Sequence, residues 1–162
     1  MDYRQIIQNK ILDKTGLERQ LNIWKIQSKK IVFTNGCFDI LHKGHADYLA
    51  QAKGLGDVLI VGLNADSSVK NLKGEGRPIN NEDARAFLLA SLHVVDAVML
   101  FPEQTPIELI TLVQPDVLVK GSDYKPEEIV GYDVVMKKGG TVAAIDFVPG
   151  YSTTGIIKKL QS

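Results

Sequence analysis

Cysteine is scarce in this chain, because Cys37 is the only one among 162 residues. An internal disulfide and a cysteine-based zinc cluster are therefore excluded. Lysine plus arginine and aspartate plus glutamate number 19 each, and this zero net charge disfavours a nucleic-acid binder. No apolar run approaches the roughly 18 residues that span a bilayer, and the first ten residues lack the apolar core of a secretory signal. We expect a cytoplasmic protein that binds neither nucleic acid nor membrane.

Three motifs of common nucleotide and hydrolase chemistry are also missing. No Gly-Lys dipeptide occurs, so the chain has no Walker A loop. Residues 54–56 and 74–76 read Gly-x-Gly but lack the third glycine of the dinucleotide fingerprint, which disfavours a dehydrogenase. The nucleophile elbow G-x-S-x-G of many serine hydrolases is absent as well.

Short apolar runs rich in β-branched residues alternate with helical segments. The runs are residues 31–33, 58–61, 97–100, 117–119 and 142–145. Each is nearly continuous, which predicts strands covered on both faces. Helices are expected at residues 46–53, which stop at Gly54 as a glycine C-cap, at 81–92, at 106–113 and from Ser152 or Thr153 to about 160.

This alternation predicts an α/β fold with a doubly wound, five-stranded parallel sheet and helices on both faces. Residues 1–29 are predicted to be an N-terminal helical extension packed against a main domain of residues 30–162. Ligands of such sheets bind beyond the carboxyl ends of the strands. Polar segments follow four of the five runs, at residues 35–39, 64–66, 120–124 and 149–154, whereas residues 101–103 form the least polar exit.

The strongest chemical signal is His42-Lys43-Gly44-His45, placed between the first strand and the first helix of the main domain. Two histidines three residues apart at a helix start lie about one turn apart. Gly44 leaves no side chain to block a ligand, and a helix N-terminus suits phosphate. Imidazoles there can donate hydrogen bonds to phosphoryl oxygens. A zinc site is the alternative, and Asp39, interpreted as a brace for the turn, is the one further ligand nearby in sequence.

The segment from Gly36 to His45 resembles the H-x-G-H nucleotidyltransferases, the superfamily of cytidylyltransferases and pantetheine-phosphate adenylyltransferase, with a Rossmann-like sheet. Further strings are similar to the adenylyltransferase half of the bifunctional ADP-heptose synthesis protein. They are Leu72-Lys73-Gly74, Arg77-Pro78-Ile79-Asn80, Arg85, residues 115–121, residues 123–129, Ser152-Thr153-Thr154 and residues 156–159. The resemblance covers residues 30 to 160, so the main domain is expected to be a nucleotidyltransferase domain.

The resemblance implies that ATP and D-glycero-β-D-manno-heptose 1-phosphate give ADP-heptose and pyrophosphate, with Mg²⁺, for lipopolysaccharide core precursors. A phosphate monoester loses its second proton near pH 6, so the attacking sugar phosphate needs no strong base. What remains is alignment and charge neutralisation. Mg²⁺ can be held mainly by the triphosphate, so no protein side chain is expected to bind it.

The resemblance also implies a role for each matching residue. The catalytic residues are His42, His45 and Lys73. The nucleotide-binding residues are Cys37, Phe38, His42, Gly44, His45, Lys120, Gly121, Asp123, Ser152, Thr153 and Thr154. The substrate-binding residues are Asp66, Lys73, Arg77 and Arg85. Other interpretations stay open: Cys37 as a small buried filler, Lys73 as a solvated loop lysine, and Arg85 as a partner of Glu82 or Asp83 on its own helix.

Two departures from related families affect the substrate. Cytidylyltransferases for glycerol 3-phosphate carry an arginine-led R-T-E-G-I-S-T segment before the last helix, whereas residues 149–154 contain no arginine. The fused sugar kinase of the bifunctional protein is absent here, so a separate kinase is expected to supply the sugar 1-phosphate. The alternatives are a glycerol-3-phosphate cytidylyltransferase that uses CTP and a non-catalytic nucleotide-binding sensor. A homodimer is an expectation carried by the family.

Overall fold

A five-stranded sheet forms the centre of the computed structural model, which describes residues 1–122 and 125–161. Its strands are β1 (Ile31–Gly36), β2 (Val58–Asn64), β3 (Ala97–Phe101), β4 (Val117–Gly121) and β5 (Thr141–Ile145). The order is β3-β2-β1-β4-β5, and every neighbouring pair is parallel. Each of the five predicted runs lies in a strand, so the predicted sheet is confirmed.

Helices connect these strands. They are α1 (Tyr3–Gln8), α2 (Lys14–Ile26), α3 (Lys43–Lys53), α4 (Asp66–Lys73), α5 (Glu82–Ser91), α6 (Ile107–Val113), α7 (Tyr132–Lys137) and α8 (Thr153–Gln161), with a short 3-10 helix at Pro126–Glu128. The four helices predicted from the main domain are confirmed, and α3 begins three residues earlier than expected because His42 is its N-cap. The sequence pattern did not predict α4 and α7, which are only eight and six residues long.

The helix ends follow the predicted capping chemistry in part. The side chains of Asn81 and Ser152 accept hydrogen bonds from the amides of Ala84 and Gly155, at 2.9 and 3.0 Å. Pro106 is the N-cap of α6 rather than its first residue. Gly54 is the C-cap of α3, but its φ of −63° is right-handed, so the left-handed freedom of glycine is not used there.

Apolar side chains are buried on both faces of the sheet. One cluster combines Val32 of β1 with Leu49 of α3 and Leu89 of α5. The other combines Phe33 of β1 with residues of α2, α6 and α7, among them Ile110. Successive strand residues point to opposite faces, so a strand buried on both sides needs a continuous apolar run. The two-sided cover predicted from those runs is therefore confirmed for β1, β2 and β4, whereas β3 is only partly buried and in β5 only Ile145 is buried.

The N-terminal helices pack against the edge of this sheet at β3. Between α1 and α2, the carbonyl of Lys10 accepts from the amide of Val98 at 2.8 Å, and the amide of Leu12 donates to the carbonyl of Val98 at 2.9 Å. Leu17 and Leu21 of α2 are buried in the core. This segment therefore covers a strand edge that would otherwise expose unpaired backbone groups. Within the described ranges, no helix is both long and apolar enough to cross a lipid bilayer.

Candidate active site

A cavity of about 530 Å³ opens at the carboxyl ends of the strands. It lies where β1 is flanked by β2 and β4, the point at which the strand order reverses and ligands of such sheets bind. Nine residues predicted to form the site line it: Cys37, Phe38, His45, Lys73, Arg77, Lys120, Gly121, Thr153 and Thr154. The other lining residues are Asn35, Gly36, Asp39, Tyr48, Asn64, Leu72, Gln104, Thr105, Pro106, Val130 and Phe147.

The two histidines form a stacked pair at the start of α3. Nδ1 of His42 accepts a hydrogen bond from the backbone amide of His45 at 3.3 Å, which makes His42 the N-cap. The ring centroids lie 3.8 Å apart with an interplanar angle of 17°, and the ring of Phe38 meets that of His45 at 5.2 Å, edge to face. His45 lines the cavity with His42 stacked on it. The sequence therefore places both imidazoles together, as predicted.

Both imidazoles are neutral at pH 7 in the ligand-free protein. Burial lowers the pKa of His45 to about 4, with the neighbouring His42 adding to the effect and the backbone of Ile40 opposing it. Burial also lowers the pKa of His42. A neutral imidazole still offers one N–H donor. An anion in the cavity would raise both pKa values, because a nearby negative charge favours the protonated ring.

Gly44 is required by the packing of the histidine pair. A Cβ at this position would lie 3.1 Å from Cε1 and Nδ1 of His42 and 3.1 Å from Cβ of Tyr151. We expected the missing side chain to leave a path for a ligand, but the imidazole and Tyr151 occupy that space, and Gly44 does not line the cavity. Its role is to let the His42 ring lie against the first turn of α3.

A buried carboxylate anchors one predicted substrate residue. Asp39 is 2% exposed, and its Oδ2 accepts from Nε of Arg77 at 2.6 Å. Its Oδ1 accepts from the backbone amides of Ile79 and Asn80, at 2.8 and 3.0 Å. Asp39 thus braces the turn after β1, as predicted, and holds Arg77 at the cavity.

Arg85 and Asp66 pair with each other beside the cavity, at 2.7 Å between Nη2 and Oδ1. Arg85 is fully buried, and its Nη1 donates to the carbonyls of Cys37 and Asn64, at 2.6 and 2.8 Å. Its ion pair is therefore with α4, rather than with Glu82 or Asp83 of its own helix. Neither Arg85 nor Asp66 lines the cavity. The nitrogens of Arg85 tie the ends of β1 and β2 together, and contact of Arg85 and Asp66 with the sugar phosphate stays a prediction.

The predicted phosphate-binding side chains approach the cavity from three directions. Lys73, at the end of α4, is exposed and makes no hydrogen bond or ion pair within the part of the chain that the structure describes. Lys120 ends β4 next to Gly121, and Thr153 and Thr154 begin α8. Ser152 does not line the cavity, since its hydroxyl caps α8. Asp123 lies outside the described residues.

Cys37 is half-buried and lines the cavity. Burial raises the pKa of its thiol, although the positive charges of Lys73, Arg85 and Arg77 act in the opposite direction. The thiol is therefore protonated at neutral pH and is not a strong nucleophile. Of the two interpretations left open, the structure combines both: a small, partly buried residue at the wall of the cavity.

The loop after β3 contributes residues to the cavity that were not predicted from the sequence. Gln104 and Thr105 line the cavity, although this strand had the least polar exit in its first three residues. The polar residues come directly after these three, because Gln104 and Thr105 follow residue 103 and precede Pro106, the N-cap of α6. Tyr48 and Phe147 were also missed. Their rings stack at 6.1 Å, and the Tyr48 hydroxyl is 2.8 Å from that of Thr34.

A zinc site at the histidine pair is disfavoured by the donors present. No group of three or more His, Cys, Asp and Glu side chains is placed to hold a metal within residues 1–122 and 125–161. Asp39, the third ligand considered, already accepts from Arg77 and two amides.

Comparisons with known proteins agree with the motif. The profile of the family described as Cytidylyltransferase-like matches residues 33–159. The bifunctional protein HldE of Campylobacter concisus is 62% identical over 133 residues, which cover 82% of this chain and 27% of that protein. HldE of Wolinella succinogenes is 51% identical over 154 residues, 95% of this chain and 32% of that protein. The chain thus spans about a third of the length of these relatives.

A solved structure agrees as well. The lipopolysaccharide core biosynthesis protein from Thermoplasma volcanium is 34% identical, with a TM-score of 0.62, and the match covers 74% of this chain and 97% of that one. The resemblance seen in the H-x-G-H segment is therefore confirmed. This chain belongs to the cytidylyltransferase-like family.

Proposed function

We propose that this chain is an adenylyltransferase that joins ATP and D-glycero-β-D-manno-heptose 1-phosphate to give ADP-heptose and pyrophosphate, for lipopolysaccharide core precursors. The observation that carries the proposal is the stacked pair of His42 and His45 at the start of α3, of which His45 lines a cavity that Lys73, Arg77 and Lys120 also line. The high identity to bifunctional HldE proteins supports the heptose substrate. The likeness to the lipopolysaccharide core biosynthesis protein of Thermoplasma volcanium supports the same pathway.

The chemistry proposed is an in-line displacement at the α-phosphorus of ATP. A phosphate oxygen of the sugar 1-phosphate forms a bond to this phosphorus while the bond to the bridging oxygen of the β-phosphate breaks. Pyrophosphate leaves with that electron pair. The attacking monoester loses its second proton near pH 6, so no side chain has to remove a proton. This agrees with a site whose histidines are neutral donors and in which Asp39, the one carboxylate among the described lining residues, is committed to Arg77.

The side chains then have two tasks, alignment and charge neutralisation. Preorganised donors aimed at oxygens that gain charge in the transition state account for a large share of such catalysis. We assign this to the N–H groups of His42 and His45 and to the ammonium group of Lys73. Arg77, fixed on Asp39 through Nε, keeps its other nitrogens for phosphate oxygens. Thr154 offers its hydroxyl at the start of α8, whereas the Thr153 hydroxyl donates to the carbonyl of Ile40 at 3.4 Å, so Thr153 offers its backbone amide.

Magnesium is proposed to enter the cavity as part of the nucleotide substrate. Triphosphate oxygens and water supply the octahedral oxygen ligands that Mg²⁺ prefers. Two carboxylates near the cavity among the described residues are committed elsewhere, Asp39 to Arg77 and Asp66 to Arg85. We therefore assign no protein ligand to the metal.

Pyrophosphate release from four substrate pairs tests the proposal. The purified chain is given ATP or CTP with heptose 1-phosphate or glycerol 3-phosphate, and the double variant His42→Ala/His45→Ala serves as the inactive control. Turnover is expected with ATP and heptose 1-phosphate. Turnover with CTP and glycerol 3-phosphate alone would identify the cytidylyltransferase instead. ATP binding without pyrophosphate release from any pair would identify a nucleotide sensor.

A further inference from the structure

The cavity has two walls on opposite sides of β1. Asn64 ends β2, and Gln104 and Thr105 lie on the loop between β3 and α6, so these three residues belong to the β2–β3 side. Lys120 ends β4 and Thr153 begins α8, on the β4–β5 side. A displacement between two substrates at the histidine pair requires one substrate on each side. The side chains of each wall therefore indicate which substrate it binds.

Apart from the cations Lys73 and Arg77, which follow β2 in the chain and suit the phosphate group of an acceptor, the wall on the β2–β3 side presents neutral hydrogen-bonding groups. Asn64 and Gln104 carry amides and Thr105 carries a hydroxyl. Gln104 and Thr105 are exposed and make no hydrogen bond to other described residues, so their polar atoms are available to a ligand. Neutral donors and acceptors match the hydroxyl groups of a sugar, whereas a triphosphate calls for cations and helix N-termini.

A chain of hydrogen bonds fixes this wall. Nδ2 of Asn64 donates to the hydroxyl of Ser68 at 2.9 Å, and that hydroxyl donates to the carbonyl of Glu103 at 3.0 Å. Asn64 is 4% exposed, and its own carbonyl accepts from Arg85. The loop that carries Gln104 is thereby tied to the end of β2. Because the amide nitrogen of Asn64 is committed to Ser68, its oxygen is left to accept from a ligand hydroxyl.

We propose that Asn64, Gln104 and Thr105 bind the hydroxyl groups of the acceptor sugar and set which sugar phosphate the enzyme accepts. This inference rests on the proposed function, since it takes the acceptor to be a sugar 1-phosphate. The nucleotide then occupies the β4–β5 side, and Lys73, at the edge of the acceptor wall, contacts the sugar's phosphate group.

Two variants test whether Gln104 and Thr105 bind the acceptor or are solvent-exposed loop residues without a ligand. Gln104→Ala removes the amide, and Thr105→Val removes the hydroxyl at nearly constant shape. Each is expected to raise KM for the sugar phosphate about tenfold, the worth of one hydrogen bond to a ligand, and to change KM for ATP less than twofold. Glu103→Ala is the matched control, because its exposed side chain lies on the same loop outside the cavity. Equal effects on both substrates, or none on either, would overturn the assignment.

Sugar phosphates that lack one hydroxyl give a second measurement. The unmodified chain should discriminate against at least one such deoxy acceptor, and a variant that has lost the partner of that hydroxyl should discriminate less. Undiminished discrimination in both variants would contradict the proposal.

Calorimetric titration of the sugar phosphate, and separately of a nonhydrolysable ATP analogue, checks binding without turnover. If the variants bind only the sugar phosphate more weakly, the assignment of this wall to the acceptor is supported. If heptose 1-phosphate is inert but another sugar phosphate reacts, the proposed substrate fails. The acceptor wall is then judged by the same variants on that other acceptor.

Discussion

One carboxylate oxygen of Asp39 accepts a hydrogen bond from Nε of Arg77 at 2.6 Å. The other oxygen accepts from the backbone amides of Ile79 and Asn80. The turn after β1 and the segment of residues 77–80 are therefore held as one unit, although they are separated by nearly forty residues. This contact brings a guanidinium group to the cavity from a part of the chain that has no strand of its own. Both the position of the Arg77 guanidinium and the balance of its charge depend on the buried carboxylate of Asp39.

Asp39→Asn should weaken both the fold and the site. The amide oxygen can still accept from the two backbone amides, but the charge that holds Arg77 is lost. We expect the free energy of unfolding to fall by about 3 kcal/mol, the low end for breaking a buried pair, and kcat/KM to fall at least about tenfold. Urea unfolding and pyrophosphate release measure the two effects. Asp47→Asn, which removes the charge from an exposed contact with Gln51, is the control, and equal behaviour of both variants would contradict this account.

Gly44→Ala should damage catalysis more than stability. The added methyl group would lie 3.1 Å from the His42 ring, and displacing that ring misaligns the pair. A misplacement of about 1 Å can cost on the order of 10²-fold in rate, while alanine gains up to about 1 kcal/mol over glycine within a helix. We expect kcat to fall at least about tenfold with little loss of unfolding free energy. Ala46→Gly, an exposed position on the same helix, should do the opposite, and unchanged activity in Gly44→Ala would refute the packing argument.

The lowered pKa of His45 predicts a loss of stability on acidification. The folded imidazole titrates at about 4, whereas in the unfolded chain it titrates near 6.5. Between these values the unfolded chain binds a proton that the folded protein does not, so the free energy of unfolding falls as the pH is lowered from 6.5 to 4. His45→Gln lacks this effect. Urea unfolding at pH 7 and pH 5 should show the larger drop for the unmodified chain, and identical drops would mean that His45 is not desolvated.

The same ring gives a catalytic prediction with a different readout. His45→Ala should lower kcat by about 10² or more, as loss of a preorganised donor does. The affinity for ATP should fall much less, because the donor acts on charge that develops during displacement. Equal losses in affinity and rate would instead identify a contact made in the ground state.

Patterns that lie within one segment of the chain could be predicted from the sequence, and contacts between segments could not. The continuous run Val58 to Val61 indicates a strand because both of its faces are covered. The histidine pair depends on local sequence, since a spacing of three residues at the start of a helix brings the two rings together. The burial of Arg85 is different, because it depends on carbonyls of Cys37 and Asn64 that meet only in the folded sheet. Gln104 was missed for the same reason: its neighbours in the cavity come from other strands.

Replacing Lys73 tests directly whether this lysine binds a substrate phosphate or is only solvated. It is exposed, lines the cavity and makes no hydrogen bond or ion pair among the described residues, so Lys73→Met should change the free energy of unfolding by less than about 0.5 kcal/mol. Catalysis should nevertheless fall at least about tenfold in kcat/KM, because a charge aimed at phosphate oxygens is lost.

The matched control for Lys73 lies one turn earlier on α4. Lys70 is also exposed, but it pairs with Glu75 at 3.0 Å and does not line the cavity. Such an exposed pair contributes about 0–1 kcal/mol, so Lys70→Met should leave both stability and kcat/KM nearly unchanged. Both variants remove one positive charge from the same helix, so a general loss of electrostatic attraction for ATP would lower the two rates alike. A deficit confined to Lys73→Met, with unfolding unaffected, requires that its ammonium group contact a substrate phosphate.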